Sequence, residues 1–325
     1  MSFEIPSSKK SLNNIKNYIV KTPLKYSERL SKETNSNIFL KLENLQKTGS
    51  FKARGALNKI LNIIETEEVV AASSGNHGAA VSYALSQKKM TGTIYVPKNV
   101  KKSKVKKIES YGSKLVKFGD DCLDAENEAI RLSKENNFTF VSPYNDYNII
   151  SGQGTIGVEI LEENSQIDIV FITVGGGGLI SGVSNYMKSI NPNIKVIGCS
   201  PSNSSIMINS IKEGKIVNTE SKDTLSDGSA GGVEEGSITF NMCKELIDDY
   251  CLVSEEEIAL QIKNSMYLDK MLIEGSAAVA IASAIKMKTY LEDKNVAIII
   301  CGGNIGSDTL NKILWILNFI QKNKY

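Results

Sequence analysis

Residues 168–182 read DIVFITVGGGGLISG, an apolar, β-branched run that passes through four consecutive glycines into a small-residue stretch. The run fits a buried strand, and the stretch after the glycines fits a helix. Each glycine carries an entropic cost on folding, so four in a row do not serve stability. They let backbone N–H groups crowd around an anion, and the helix that follows adds the positive end of its dipole. A tight strand-to-helix turn needs one or two glycines, so this run reads as a phosphate cradle. The dinucleotide pattern GxGxxG fails in both registers: Ile180 stands where the third glycine would follow Gly175 and Gly177, and Ser181 where it would follow Gly176 and Gly178. The next strand, ending near Ser200, lacks the acidic residue that holds a ribose, and no GK[ST] follows the glycines. The loop suits a small phosphate group better than a nucleotide.

The same alternation extends outward along the chain. Strands are expected at 38–44, 68–74, 92–97, 114–119, 138–143, 168–175, 195–201 and 296–303. Helical stretches lie between most of them, such as 124–136 with Ala125, Ala129 and Leu132 on one face. Strands alternating with helices predict βαβ units, parallel sheet and an α/β architecture. The segment DTLNKILWILNFIQ, 308–321, reads as a final amphipathic helix with Trp315 in the core. No internal repeat or low-complexity linker marks a domain boundary.

The 325 residues suffice for one large α/β domain or two modest ones, and a net charge of +2 argues against a dedicated nucleic-acid binder. Residues 98–107, KNVKKSKVKK, gather six lysines without aromatics to stack bases, and read as the solvated face of a surface helix. Cys122, Cys199, Cys243, Cys251 and Cys301 form no CxxC, which suits free thiols in a reducing cytoplasm and offers no zinc framework. The N-terminal MSFEIPSSKK has no apolar core of a signal peptide, and no apolar run is long enough to span a bilayer. A soluble cytoplasmic protein is expected.

In an α/β fold, ligands gather where strands hand over to helices. Three further strand ends carry unusual residues. In ASSGNHGAAVSYA, 72–84, hydroxyls, an amide and exposed N–H groups make a nest suited to a carboxylate. His77 there is the only histidine; it offers one possible imidazole base or a structural hydrogen bond, and it excludes His-based metal clusters. In IIICGGNIGS, 298–307, Cys301 closes an apolar strand, and the Gly-Gly-Asn after it suggests a ligand contact. In QKTGSFKARGALNKI, 46–60, Lys52 opens a helix behind Gly-Ser-Phe. The positive end of a helix disfavours an ammonium, and burial lowers the pKa further, which would make Lys52 a nucleophilic amine able to form a Schiff base. A surface lysine is the ordinary alternative for that motif taken alone. An amine nucleophile, a phosphate cradle, a carboxylate nest and a small polar strand end together fit one cofactor, pyridoxal 5'-phosphate, with an amino acid beside it.

The segments VKTPLKYSERLS (20–31), KTGSFKARGA (47–56), SSGNHG (73–78), SGQGT (151–155), GGGGL (175–179), IEGSAAVA (273–280) and CGGN (301–304) cover nearly the whole chain in order. With them the chain resembles the fold-type II pyridoxal-phosphate enzymes, in the branch of threonine/serine dehydratases (ammonia-lyases) and serine racemases. Cysteine synthases are similar but typically read SVKDR and TSGNTG. The resemblance implies a tryptophan synthase β-like fold of two open parallel-sheet α/β domains with the cofactor in the cleft between them. Residues 1–67 plus 147–325 would form the large cofactor-binding domain, and 68–146 the small substrate-loop domain.

It also implies site roles. Lys52 would be the Schiff-base lysine and general base, with Phe51 packed against the cofactor ring and Asn76 on its phenolic oxygen. The backbone of Gly175, Gly176, Gly177, Gly178 and Leu179 would hold the phosphate. Gly228, in the retained Asp227–Gly228 pair, would lie at the cofactor, and Cys301 would face the pyridine nitrogen. A neutral thiol there favours β-elimination over transamination. Ser73, Ser74, Gly75, Asn76 and His77 would bind the substrate carboxylate, and Ser74 matches the serine that in racemases addresses the opposite face of the α-carbon. The expected reaction is β-elimination of L-threonine or L-serine to a 2-oxo acid and ammonia, in a homodimer. Amino-acid racemisation, β-replacement of the cysteine synthase type and a non-catalytic amino-acid-binding module are the alternatives. The racemase divalent-cation positions read Ser200 and Ile206, so no metal is expected. Ala125 aligns with the racemases' substrate-binding arginine, which weakens the case for an acidic substrate. The chain stops at Tyr325, and no C-terminal regulatory domain is expected.

Overall fold

The computed structural model describes residues 3–64, 68–217 and 219–322. Ten strands form two sheets. They are β1 Leu24–Tyr26, β2 Asn37–Lys41, β3 Val69–Ala72, β4 Gly92–Val96, β5 Lys114–Lys117, β6 Thr139–Phe140, β7 Ile169–Thr173, β8 Lys195–Pro201, β9 Asp249–Val253 and β10 Asn295–Ile299. The six-stranded sheet runs β1-β2-β10-β7-β8-β9 and the four-stranded sheet β5-β4-β3-β6. All pairings are parallel except that of β1 with β2.

Burial explains why the central strands read as continuous apolar runs: helices cover both faces of a parallel sheet. All four side chains of β3 are buried, yet Val69 and Ala71 join one apolar cluster while Val70 and Ala72 join another. The strand's period of two sends alternate residues to opposite faces. The first of these clusters also takes in Ile15, Leu57, Ile60 and Ile149 from helices outside the 68–146 segment.

The eight expected strands are present, and two more were not anticipated. β1 has three residues with no buried side chain, and β9 reads DYCLV with its first two residues exposed. Both lie at sheet edges, where apolar patterning is weak. The helix expected at 124–136 runs Cys122–Asn136, opened by the Asp121 carboxylate accepting from the Asp124 N–H. The last helix is Ser307–Lys322, with Ile313 buried; the side chain of Trp315 lies outside the described residues.

One polar cluster inside the fold fixes the helix that begins at Lys52. Arg54 is fully buried and donates to both oxygens of Glu43 at 2.8 Å and to both oxygens of Glu159 at 2.8 Å. Lys41, equally buried, pairs with Glu159 at 2.8 Å. Thr22 donates to Glu43, and Thr155 accepts from Arg54. Two cations face two carboxylates, so the charges cancel where water is excluded. Burial alone would lower the Arg54 pKa, but the two carboxylates outweigh it and hold the guanidinium charged.

Candidate active site

The loop before Lys52 is stitched to the end of β10. The Phe51 N–H donates to the Cys301 carbonyl at 3.0 Å, Ser50 forms an antiparallel bridge with Gly302, and the Gly303 N–H donates to the Gly49 carbonyl at 2.9 Å. Gly49 adopts φ +72°, and a Cβ there would meet the Asn304 side chain at 2.6 Å. Lys52 is therefore the first residue of the helix Lys52–Leu61, on a platform supplied by the strand end that carries Cys301. No side chain caps this helix.

The Lys52 ammonium donates to the Pro143 carbonyl at 2.7 Å and stands 5.3 Å from the centre of the Phe51 ring. Burial lowers its pKa to about 8, against opposing attraction from Glu274 and Glu126. A desolvated ammonium gives up its proton readily, so a useful fraction is free amine near neutral pH. The Cys301 thiol is buried and pushed well up by desolvation and by Glu274, so it stays neutral.

The glycine run connects β7 to the helix Gly178–Ile190. Gly177 takes φ +86° and caps that helix without any side-chain hydrogen bond. Added Cβ atoms would meet the Tyr144 ring at 2.3 Å from Gly176, the Tyr144 Cβ at 2.9 Å from Gly178, and Ser229 at 3.0 Å from Gly175. The lack of side chains is thus a packing requirement as well as a conformational one, and it leaves backbone N–H groups bare at a helix start. Tyr144 is tied down by accepting from the Glu234 N–H at 2.9 Å. Leu179 turns its side chain into the large core.

The Ser73–His77 turn opens the helix Asn76–Lys88, again without a side-chain cap at Gly75. The Gly75 N–H donates to the Ser73 hydroxyl at 3.1 Å, and a Cβ on Gly78 would lie 2.1 Å from the Ser73 carbonyl. Ser73 and Ser74 are half-buried beside this bare helix start. His77 Nε2 lies 2.8 Å from the Val141 carbonyl, and burial, aided by the Lys52 charge, lowers its pKa to about 3. The imidazole is therefore neutral and engaged in a structural hydrogen bond, the second of its two expected roles.

Sequence reasoning missed Glu274. Its buried carboxylate accepts from Asn76 Nδ2 at 2.9 and 3.1 Å and from the Asn304 N–H at 3.1 Å. Asn304 Nδ2 donates to Asn76 Oδ1 at 2.7 Å. Gly302 and Gly228 border the same carboxylate, for Cβ atoms on them would stand 2.5 and 3.5 Å from Oε1. The signal was present in IEGSAAVA, where an acidic residue precedes a helix of small residues.

The lysine run also departs from a purely solvated face. Lys107 donates to the Thr48 carbonyl at 2.8 Å and to Asn304 Oδ1 at 2.5 Å, and Lys104 pairs with Asp227 at 3.4 Å. Ala125 packs with Val70, Tyr95 and Ala129 behind the four-stranded sheet, while the charge of its neighbour Glu126 reaches Lys52. Ser200 donates to the Val174 carbonyl, and Ile206 is core.

The donor set fits pyridoxal phosphate: a bare glycine cradle, a desolvated amine and a neutral thiol close the ends of neighbouring strands. A family model described as pyridoxal-phosphate dependent enzyme matches residues 15–302. The chain is 41% identical over 309 residues to the L-threonine ammonia-lyase of Thermotoga maritima, covering 94% of this chain and 77% of that one. It is 37% identical over 308 residues to the catabolic L-threonine dehydratase TdcB of Escherichia coli K12, covering 93% and 92%. Among solved structures, maize serine racemase superposes with a TM-score of 0.90 at 30% identity over 100% of both chains. Threonine deaminase isoform 2 of Solanum lycopersicum superposes with a TM-score of 0.88 at 32% identity over 96% of each chain.

Proposed function

The chain belongs to the pyridoxal-phosphate dependent enzymes, and from that premise we propose that it is a threonine/serine ammonia-lyase, releasing a 2-oxo acid and ammonia from a β-hydroxy amino acid. The observation that carries this reading is the desolvated Lys52 amine on a platform that ends in the neutral Cys301 thiol. Lys52 would hold the cofactor's aldehyde end, Asn76 its phenolic oxygen, Gly175–Leu179 its phosphate and Cys301 its ring nitrogen, with Phe51 and Gly228 alongside. When bound, the cofactor supplies an electron sink for bond breaking at the substrate's α-carbon.

Lys52 has two tasks, amine partner and general base for the α-proton, and a pKa of about 8 suits both near neutrality. The bare helix start at Ser73–His77 receives the substrate carboxylate, as a helix N-terminus favours an anion. The neutral thiol of Cys301 puts no negative charge at the ring nitrogen, which favours loss of the β-hydroxyl over transamination. The unsaturated amine that leaves takes up water to give the 2-oxo acid and ammonia. In this reading residues 68–146 form the substrate-loop unit, and the protein acts as a cytoplasmic homodimer; sedimentation of the purified protein tests the latter.

Purified holoprotein is to be incubated with L-threonine, L-serine and D-serine, and 2-oxo acid, ammonia and enantiomer ratio measured. Release of 2-oxo acid and ammonia in equal amounts, lost in Lys52→Ala, is expected. Racemisation without ammonia would replace the reading with the second one, which Ser74 at the helix start and the likeness to maize serine racemase favour. An absorption band that survives Lys52→Ala unchanged would remove the enzyme reading altogether.

A further inference from the structure

We propose that Glu274 is a positioning residue for this reaction: its buried carboxyl locks the amide of Asn76 against Asn304 and places an exchangeable proton beside Lys52 and Cys301. The inference rests on the ammonia-lyase reading only in taking this pocket as the cofactor pocket.

The geometry leaves the Asn76 amide one orientation. Its nitrogen donates to the two Glu274 oxygens at 2.9 and 3.1 Å, and its oxygen accepts from Asn304 Nδ2 at 2.7 Å. Turning the amide over would set nitrogen against nitrogen and oxygen against carboxylate. Asn304 is fixed in turn, since its Nδ2 also donates to the Thr48 carbonyl at 2.9 Å and its backbone N–H donates to Glu274. The chain of contacts ends at Lys107, which donates to Asn304 Oδ1 and to Thr48.

The choice of a carboxyl here is costly. Glu274 is 4% exposed, and among the described residues no ion pair reaches it. Glu43 and Glu159, buried to the same degree, each share Arg54. A buried, unpaired carboxylate shifts its pKa and takes up a proton. Burial pushes Glu274 up to about 7; Asp227 adds to the rise, while the hydrogen bonds from Asn76 and Asn304 and the charge of Lys107 oppose it. Lys52 and Cys301 both feel the charge of the same carboxyl. Near neutral pH, the negative charge beside Lys52 therefore comes and goes. With Glu274 ionised, Lys52 holds its proton more firmly; with Glu274 neutral, the amine is freed.

Glu274→Gln keeps the shape, cannot ionise, and turns an N–H toward either the Asn76 or the Asn304 donor. Two readouts other than turnover test the proposal. In the first, the absorption of the bound cofactor is followed from pH 5.5 to 9: wild type is expected to show an inflection near 7 that Glu274→Gln loses. In the second, pyridoxal phosphate is titrated into cofactor-free protein: Glu274→Gln is expected to bind about tenfold more weakly, the scale of one hydrogen bond to a charged group. Lys107→Met provides an independent arm on an exposed side of the network, and loss of its charge is expected to move the inflection to higher pH. An inflection retained in Glu274→Gln with unchanged affinity would overturn the proposal. So would an unshifted inflection in Lys107→Met, which decides the matter if Glu274→Gln does not fold. These spectra do not depend on which substrate reacts, so failure of the ammonia-lyase reading leaves them interpretable.

Discussion

Arg54 and Glu159 meet through two parallel hydrogen bonds of 2.8 Å, and neither side chain reaches solvent. Since Arg54 lies two residues beyond Lys52, the first turn of the helix Lys52–Leu61 is anchored by a forked ion pair. Arg54→Ala leaves buried Glu43 without a cation and Glu159 with Lys41 alone. A loss of about 3–5 kcal/mol in urea unfolding is expected. Arg54→Lys, with one point charge in place of a fork, falls between the two. A loss below about 1 kcal/mol for the alanine variant would show that the cluster does not hold the helix.

The depressed pKa of Lys52 is expected to govern cofactor uptake. The neutral amine is the reactive form, so loading of cofactor-free protein is expected to quicken about tenfold per pH unit below the pKa. The rise levels off above about 8. An ordinary lysine, at 10.5, would keep rising well beyond that point. Stopped-flow absorption between pH 6 and 10 measures the break, and a rate still climbing at pH 9.5 would contradict desolvation of the amine.

His77 is expected to make the fold acid-sensitive. Unfolded, it titrates near 6.5; folded, at about 3. Between those values the unfolded chain binds one more proton, so stability falls as pH drops below 6.5 and the loss is complete near 3. The expected slope is about 1.4 kcal/mol per pH unit at most. Urea unfolding at pH 7, 6 and 5 is expected to show this slope in wild type and a flatter one in His77→Asn. Equal slopes would place the acid sensitivity elsewhere.

Gly176→Ala tests the cradle. Its methyl would overlap the Tyr144 ring, whereas Gly232→Ala meets nothing within 4 Å. Displacing a pinned ring costs about 1–3 kcal/mol, so cofactor affinity is expected to fall about tenfold or more in Gly176→Ala and to be unchanged in Gly232→Ala. Equilibrium dialysis compares the two, and equal affinities would argue against a tight cradle.

What was legible in the sequence was local. Eight strands declared themselves by apolar runs, and the turns after β3 and β7 by their glycine-rich composition. β1 and β9 were silent because an edge strand buries little. Arg54 was silent, and the acidic residue of IEGSAAVA went unread, for another reason: a buried charge is recognisable only with its partner. Asn76 and Glu274 stand 198 residues apart, and Arg54 and Glu159 stand 105 apart. Lys107 illustrates the same limit. Its run has the composition of a solvated helix face, and only the fold brings Asn304 within 2.5 Å of its ammonium.

The stitching of residues 49–51 to residues 301–303 has a bearing on biogenesis. During synthesis the chain acquires Lys52 long before the strand end that seats it. Until then the amine remains solvated, with the basicity of any exposed lysine and little tendency to capture an aldehyde at cellular pH. Cofactor capture would thereby wait until β10 has emerged, and an interrupted chain lacking β10 would carry the lysine without the seat that activates it.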